Sequence, residues 1–111
     1  MKIAIIGSRN TVITDKQIEK VISVGDEIVS GGAKGVDSYV ASYAKSHGYK
    51  LTEFLPKYNL YGRAAPIQRN KEIVEYSDKI VAFWDGSSRG TLFVIEYAEK
   101  RGKPSEIIIC K

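Results

Sequence analysis

The chain has 111 residues, 43% hydrophobic and 27% charged, with a formal charge of +4; that is room for one core and too apolar a mix for a disordered segment. No apolar run reaches the ~18–20 residues that span a bilayer, and Met1–Gly7 is too short for a signal peptide and lacks its cleavage pattern, so the expectation is a cytoplasmic protein with no membrane partner. A single cysteine, Cys110, excludes an internal disulfide, and with one histidine, His47, it argues against a structural zinc site.

Taken in chain order, the first apolar run is Lys2–Ile6, continuous rather than alternating. Thr14-Asp15-Lys16-Gln17 then reads as a capping box opening a helix whose Ile18, Val21 and Ile22 share a face. A second run, Glu27–Val29, leads through a Gly-rich segment to a helix with Val36, Val40 and Ala44 spaced by four. The third run, Leu51–Leu55, precedes a long loop, Pro56–Ala65. Pro66 suits the first position of a third helix carrying Ile67, Ile73 and Val74. The fourth run, Lys79–Trp84, precedes a helix with Thr91, Ile95 and Ala98, and the fifth is Glu106–Cys110. Gly25, Gly48 and Gly102 each stand between a helix and the next strand, where a left-handed C-cap is wanted.

The alternation βαβαβαβαβ, with continuous apolar strands, predicts a parallel sheet covered on both faces. The fold class expected is a minimal Rossmann-like three-layer α/β sandwich over residues 1–111, with strand order 3-2-1-4-5. Ligands in such sheets bind beyond the carboxyl ends of the strands, where the order reverses. Four segments leave the strands there: Gly7-Ser8-Arg9-Asn10, Ser30–Asp37, Pro56–Ala65 and Asp85–Thr91.

Two of these segments are Gly-rich and open helices, so they offer free N–H groups with partial positive charge. Gly7, Gly31, Gly32, Gly86 and Gly90, with Ser8, Ala33, Ser88 and Thr91, let a phosphate approach the backbone. As loop glycines, Gly32 and Gly90 are expected to accept a side chain without loss of the fold. Four of the five arginines, Arg9, Arg63, Arg69 and Arg89, fall on the same side, and only Arg101 lies at the far edge. A guanidinium fork suits phosphate better than a general solvated surface requires. Arg69, beside Asn70 and read as lying in the first turn of the third helix, is placed to reach across the cleft. Asp85, directly after the fourth strand, is a candidate for a ribose contact or for poising water. Asp37 either favours the helix dipole or contacts ligand. Tyr58 and Tyr61 are candidates for stacking on a base.

Ile5-Ile6-Gly7-Ser8-Arg9, Val29–Asp37 (V-S-G-G-A-K-G-V-D), Arg69-Asn70 and Phe83–Thr91 (F-W-D-G-S-S-R-G-T) together resemble the SLOG superfamily, which includes DprA and the LOG proteins. The resemblance covers essentially the whole chain and is nearest to the small stand-alone YspA-like SLOG proteins of bacteria and phages. It implies a nucleotide or nucleotide-derived ligand, no required cofactor, and a homodimer as a plausible assembly. Two alternatives follow from the same resemblance: a LOG-like phosphoribohydrolase that splits the N-glycosidic bond of nucleoside 5′-monophosphates, with Arg69 and Asp85 as its catalytic pair, and a DprA-like nucleic-acid-binding module. LOG enzymes carry a catalytic Glu three residues after the Thr that matches Thr91. Here that position is Val94, and the first Glu, Glu96, is turned about 200° further round the helix.

Overall fold

The computed structural model describes residues 1–110. Five strands, β1 (Lys2–Gly7), β2 (Glu27–Ser30), β3 (Lys50–Glu53), β4 (Lys79–Trp84) and β5 (Ser105–Ile109), form one parallel sheet in the order β3-β2-β1-β4-β5. The helices are α1 (Asp15–Glu19), α2 (Val36–Ser46), α3 (Tyr58–Tyr61), α4 (Ala65–Tyr76) and α5 (Arg89–Lys100). The expected fold class and strand order are those observed.

Strand continuity follows from two covered faces. In β1, Ile3 and Ile5 enter the layer under α1 and α2, while Ala4 and Ile6 enter the layer under α4 and α5. In β4, Val81 and Phe83 take the first side, and Ile80 and Ala82 the second. Fully burying an aliphatic or aromatic side chain is worth roughly 1.5–3 kcal/mol, so these two central strands carry much of the core. Register puts Gly7 opposite Phe83. A Cβ at Gly7 would lie 2.6 Å from Val36 Cγ2 and 2.7 Å from the Phe83 carbonyl, so only glycine lets α2 begin this close to β1.

Three local expectations are corrected. The first helix ends at Glu19, although Ile18 and Ile22 are both buried, because the chain turns rather than continuing to Val21. The Thr14 capping box is present in full. The Pro56–Ala65 segment is not a plain loop: it holds α3 and a 3₁₀ turn, Gly62–Ala64, and buries none of their residues. Finally, α4 begins at Ala65, so Arg69 is in its second turn rather than its first. Gly25, Gly48 and Gly102 all carry positive φ, as expected.

No helix among the described residues is long and apolar enough to cross a membrane. Among the same residues, no cluster of three or more His, Cys, Asp or Glu side chains could hold a metal ion.

Candidate functional site

The chain builds β1, β2 and β3 outward in one direction, then crosses back to place β4 on the other side of β1. The exits of β1, β2 and β4 therefore diverge around one cleft, as helices leave to opposite faces. That cleft has a volume of about 160 Å³ and is lined by Gly7, Arg9, Ala33, Lys34, Asp37, Arg69, Asn70, Ser88, Gly90 and Thr91, over an apolar floor of Ile6, Ile73 and Val94. A second chamber of about 340 Å³ shares Arg9, Ala33, Lys34 and Arg69 with it and continues to Gly32, Pro56, Tyr58 and Pro66. The second chamber on its own falls within the ~300–1,000 Å³ typical of small-molecule sites.

The helix termini facing this space keep their N–H groups free of side-chain caps. α2 starts from Gly35 and α5 from Ser88, and neither residue caps its helix through a side chain. The Ser88 hydroxyl instead turns toward Thr91 Oγ1, at 3.4 Å. Unsatisfied N–H groups at the first turn of a helix form an anion site.

Other residues hold the loops in place. Ser8 is buried, its hydroxyl accepts from the Asp85 N–H at 3.2 Å, and its own N–H donates to the Phe83 carbonyl, tying the exit of β1 to that of β4. Trp84 Nε1 donates to the Ser88 carbonyl at 3.0 Å. Asp85 Oδ1 accepts from the N–H groups of Ser87 and Ser88 at 2.9 and 2.8 Å, closing a turn around Gly86. Those bonds hold its carboxyl below the usual carboxylate range. Oδ1 is thus engaged in the turn, and Asp85 does not line the cleft.

Arg69 reaches back from α4 to the β2–α2 loop. Its Nη1 donates to the Gly31 carbonyl and its Nε to Asn70 Oδ1, at 2.8 Å. A guanidinium has five N–H donors, so this clamp leaves others for a ligand. The approach depends on Gly31: a Cβ there would stand 2.9 Å from Arg69 Nη1 and 3.0 Å from Asp37 Oδ2. Asp37 is buried in the first turn of α2, and burial pushes its carboxyl up to about 6 against the pull of the Ala33 N–H and the Arg69 guanidinium.

Of the residues selected from sequence, Gly7, Arg9, Ala33, Asp37, Arg69, Asn70, Ser88, Gly90 and Thr91 come together in the cleft, and Gly32 borders the second chamber. Ser8, Gly31, Asp85 and Gly86 shape the loops behind it, while Arg89 and Arg63 are exposed and line neither space. Lys34 was missed. Its position beside Gly35 in the Gly-rich segment Ser30–Asp37 was the available signal.

The expectation that Gly32 tolerates a side chain is also corrected. Gly32 has φ +71°, and a Cβ there would lie 2.2 Å from Leu55 Cδ2. Gly90, already inside α5, has nothing within 4 Å of that position. Glu96 faces away from the cleft, beside Phe93, Tyr97 and Lys100.

No protein-family model matches the chain. It is 33% identical over 82 residues, 74% of its length, to the uncharacterized SPbeta prophage-derived protein YoqJ of Bacillus subtilis (strain 168), covering 40% of that protein. The chain also matches the X-ray structure of DNA processing protein A (DprA) from Streptococcus pneumoniae, with a TM-score of 0.74 and 22% identity over 96% of this chain and 49% of that one. The chain thus spans less than half the length of each protein, and the fold it shares with DprA is the Rossmann-like one described above.

Proposed function

We propose that this protein is a SLOG-type domain, of the small YspA-like kind, that binds a nucleotide in the cleft between the exits of β1, β2 and β4. One observation carries the reading: two uncapped helix N-termini and three cations, Arg9, Lys34 and Arg69, face a single space at the reversal of strand order. A phosphate seated there meets backbone N–H groups and a guanidinium fork together. The second chamber, with Tyr58 between Pro56 and Pro66, offers a face on which a base can stack.

Calorimetric titration with AMP tests this. AMP at 100 times its dissociation constant is expected to stabilise the fold by about 2.7 kcal/mol. Gly90→Val should abolish that binding while melting as wild type does, because its side chain projects into open space. Wild-type affinity in Gly90→Val would move the site elsewhere. The variant to avoid is Gly32→Val, which strains the loop itself.

A second reading, nucleic-acid binding along the same edge, is favoured by the fold shared with a DNA-processing protein. Salt separates the two. Affinity for an oligonucleotide falls steeply with ionic strength as counterions are released, whereas a mononucleotide has few to release. N-glycosidase activity is not expected, because Val94 presents an apolar side chain to the cleft where LOG enzymes carry their Glu. Free base released from AMP at ~1–10³ s⁻¹ would contradict this.

A further inference from the structure

An acid inside an anion-binding cleft needs a reason. Asp37 is only 6% exposed and lines the cleft beside Arg9, Arg69 and Thr91. Its Oδ2 accepts from the Ala33 N–H at 3.2 Å. Its Oδ1 is buried and has no hydrogen-bond partner. The Arg69 guanidinium does not supply one, because it is turned to the Gly31 carbonyl and the Asn70 side chain. A buried acceptor left unpaired is destabilising, and more so when charged, and its negative charge also repels a phosphate.

For a ligand that is only an anion, Asp37 would therefore be a defect on two counts. For a ligand that carries a hydroxyl donor near its phosphate, Asp37 is a receptor. The ribose of a nucleoside 5′-phosphate has that form: two hydroxyls on the sugar that bears the phosphate. Asp85 does not serve in this way, since it closes its own turn outside the cleft and does not line it.

We propose that Asp37 is the specificity-determining residue of the cleft: its unpartnered Oδ1 accepts a hydrogen bond from a ribose hydroxyl of the bound nucleotide. This rests on the nucleotide reading above. The site then takes ribonucleotides and rejects nucleotides whose sugar lacks those hydroxyls. Sites built to bond a hydroxyl discriminate strongly, because the analogue leaves a buried polar group unpaired.

The test compares AMP with 2′,3′-dideoxy-AMP by calorimetry on the wild-type chain. AMP is expected to bind about 10- to 100-fold more tightly, the value of one hydrogen bond to a charged acceptor. The ratio is then followed with pH. The charged and titratable groups around Asp37 are Arg69 on α4, Arg9 after β1, Lys34 ahead of α2 and Glu53 at the end of β3. As pH falls through 6 the carboxylate takes a proton and the preference for AMP shrinks. The 5′-phosphate titrates near ~6 as well, but equally in both nucleotides, so it cancels in the ratio. Asp37→Asn keeps the acceptor for Ala33 and turns an amide toward the cleft; its ratio should fall several-fold and lose its pH dependence. Equal affinity for the two nucleotides in the wild type overturns this inference and leaves nucleotide binding standing. No binding of AMP at all overturns both.

Discussion

Strand β2 starts at Glu27 and delivers the chain to Asp37, and the protein treats these two acids in opposite ways. At the amino end, both oxygens of Glu27 are answered: Oε2 accepts from Thr52 Oγ1 at 2.7 Å and from the Tyr76 hydroxyl, and Oε1 pairs with Lys50 Nζ at 3.3 Å. These bonds, led by that from Thr52, draw its carboxyl down to about 2. At the carboxyl end, Asp37 has one oxygen bonded and one orphaned, and sits at about 6. The amino edge of the sheet is finished as structure. The carboxyl edge holds unmatched polar groups of both signs, a carboxylate oxygen and two sets of helix N–H groups, and such groups are stable company for a ligand rather than for each other.

Breaking the finished end has the largest expected effect. Glu27→Ala removes an acceptor shared by two hydroxyls, and bonds to a charged group contribute ~1.5–3 kcal/mol. A loss of ~2–3 kcal/mol in urea unfolding is expected, with AMP affinity unchanged. The acid limb gives the same information without a mutation. Because the folded state holds Glu27 below its ordinary 4.5, its contribution is full above pH 4.5 and drains away as pH falls toward 2. Glu27→Gln should flatten that limb.

Breaking the unfinished end should act chiefly on binding. Arg69→Ala is expected to weaken AMP binding by about ten- to a hundredfold, one or two charge-assisted bonds, and to lower unfolding stability by ~1–2 kcal/mol as its bond to the Gly31 carbonyl is lost. Arg69→Lys should recover part of the affinity, since the charge returns without the fork that holds the Gly31 carbonyl and Asn70. If Arg69→Ala unfolds the chain but binds AMP normally wherever it folds, Arg69 is only a clamp on the loop.

The contrast between the two acids is only half legible in the sequence. The sheet is legible because β1 and β4 are apolar without alternation, and burial on both faces is the one environment that tolerates that pattern. The two Gly-rich segments ahead of α2 and α5 are legible because glycines recur where a strand turns into a helix. α3 is not: Tyr58-Asn59-Leu60-Tyr61 has no buried face to impose a period, and local bonds such as Tyr61 N–H to the Lys57 carbonyl hold it. Nor does the sequence say which acid turns inward. Asp85 follows a strand and Asp37 opens a helix, and by position either suits a cleft. The outcome depends on whether neighbouring N–H groups capture the carboxylate first. Ser87 and Ser88 both bond Oδ1 of Asp85 and fold it into its own turn outside the cleft, while Asp37, held by Ala33 through Oδ2, lies buried in the cleft wall.

The orphaned oxygen also leaves a mark on stability, of opposite sign to that of Glu27. Asp37 is held above its ordinary 3.8, at about 6, so the folded state keeps its proton longer than the unfolded chain. The contribution is full below pH 3.8, is lost as pH rises to 6, and stays lost beyond it. Asp37→Asn should therefore be more stable than wild type at pH 7–8, by ~2–3 kcal/mol, and match it near pH 4. A variant that gains stability while losing its preference for ribose hydroxyls would separate the two roles in one chain. Equal melting at both pH values would mean that the buried carboxylate finds a partner of its own.

The smallest effect expected is at Arg101, which calibrates the others. It ends α5 on the far side of the sheet and pairs with Glu75 at 3.9 Å, both side chains about half exposed. Exposed pairs of this kind are worth ~0–1 kcal/mol, since water and salt screen the charges and two long side chains must be ordered to meet. Arg101→Ala removes the same unit of charge as Arg69→Ala. If the cleft acted only through the net positive charge of the molecule, the two variants would weaken AMP alike. If position and the guanidinium fork decide, Arg101→Ala binds as wild type and shifts unfolding by less than ~0.5 kcal/mol. A comparable loss of affinity in both variants would reduce the arginines of the cleft to a diffuse field and remove the case for a built phosphate site.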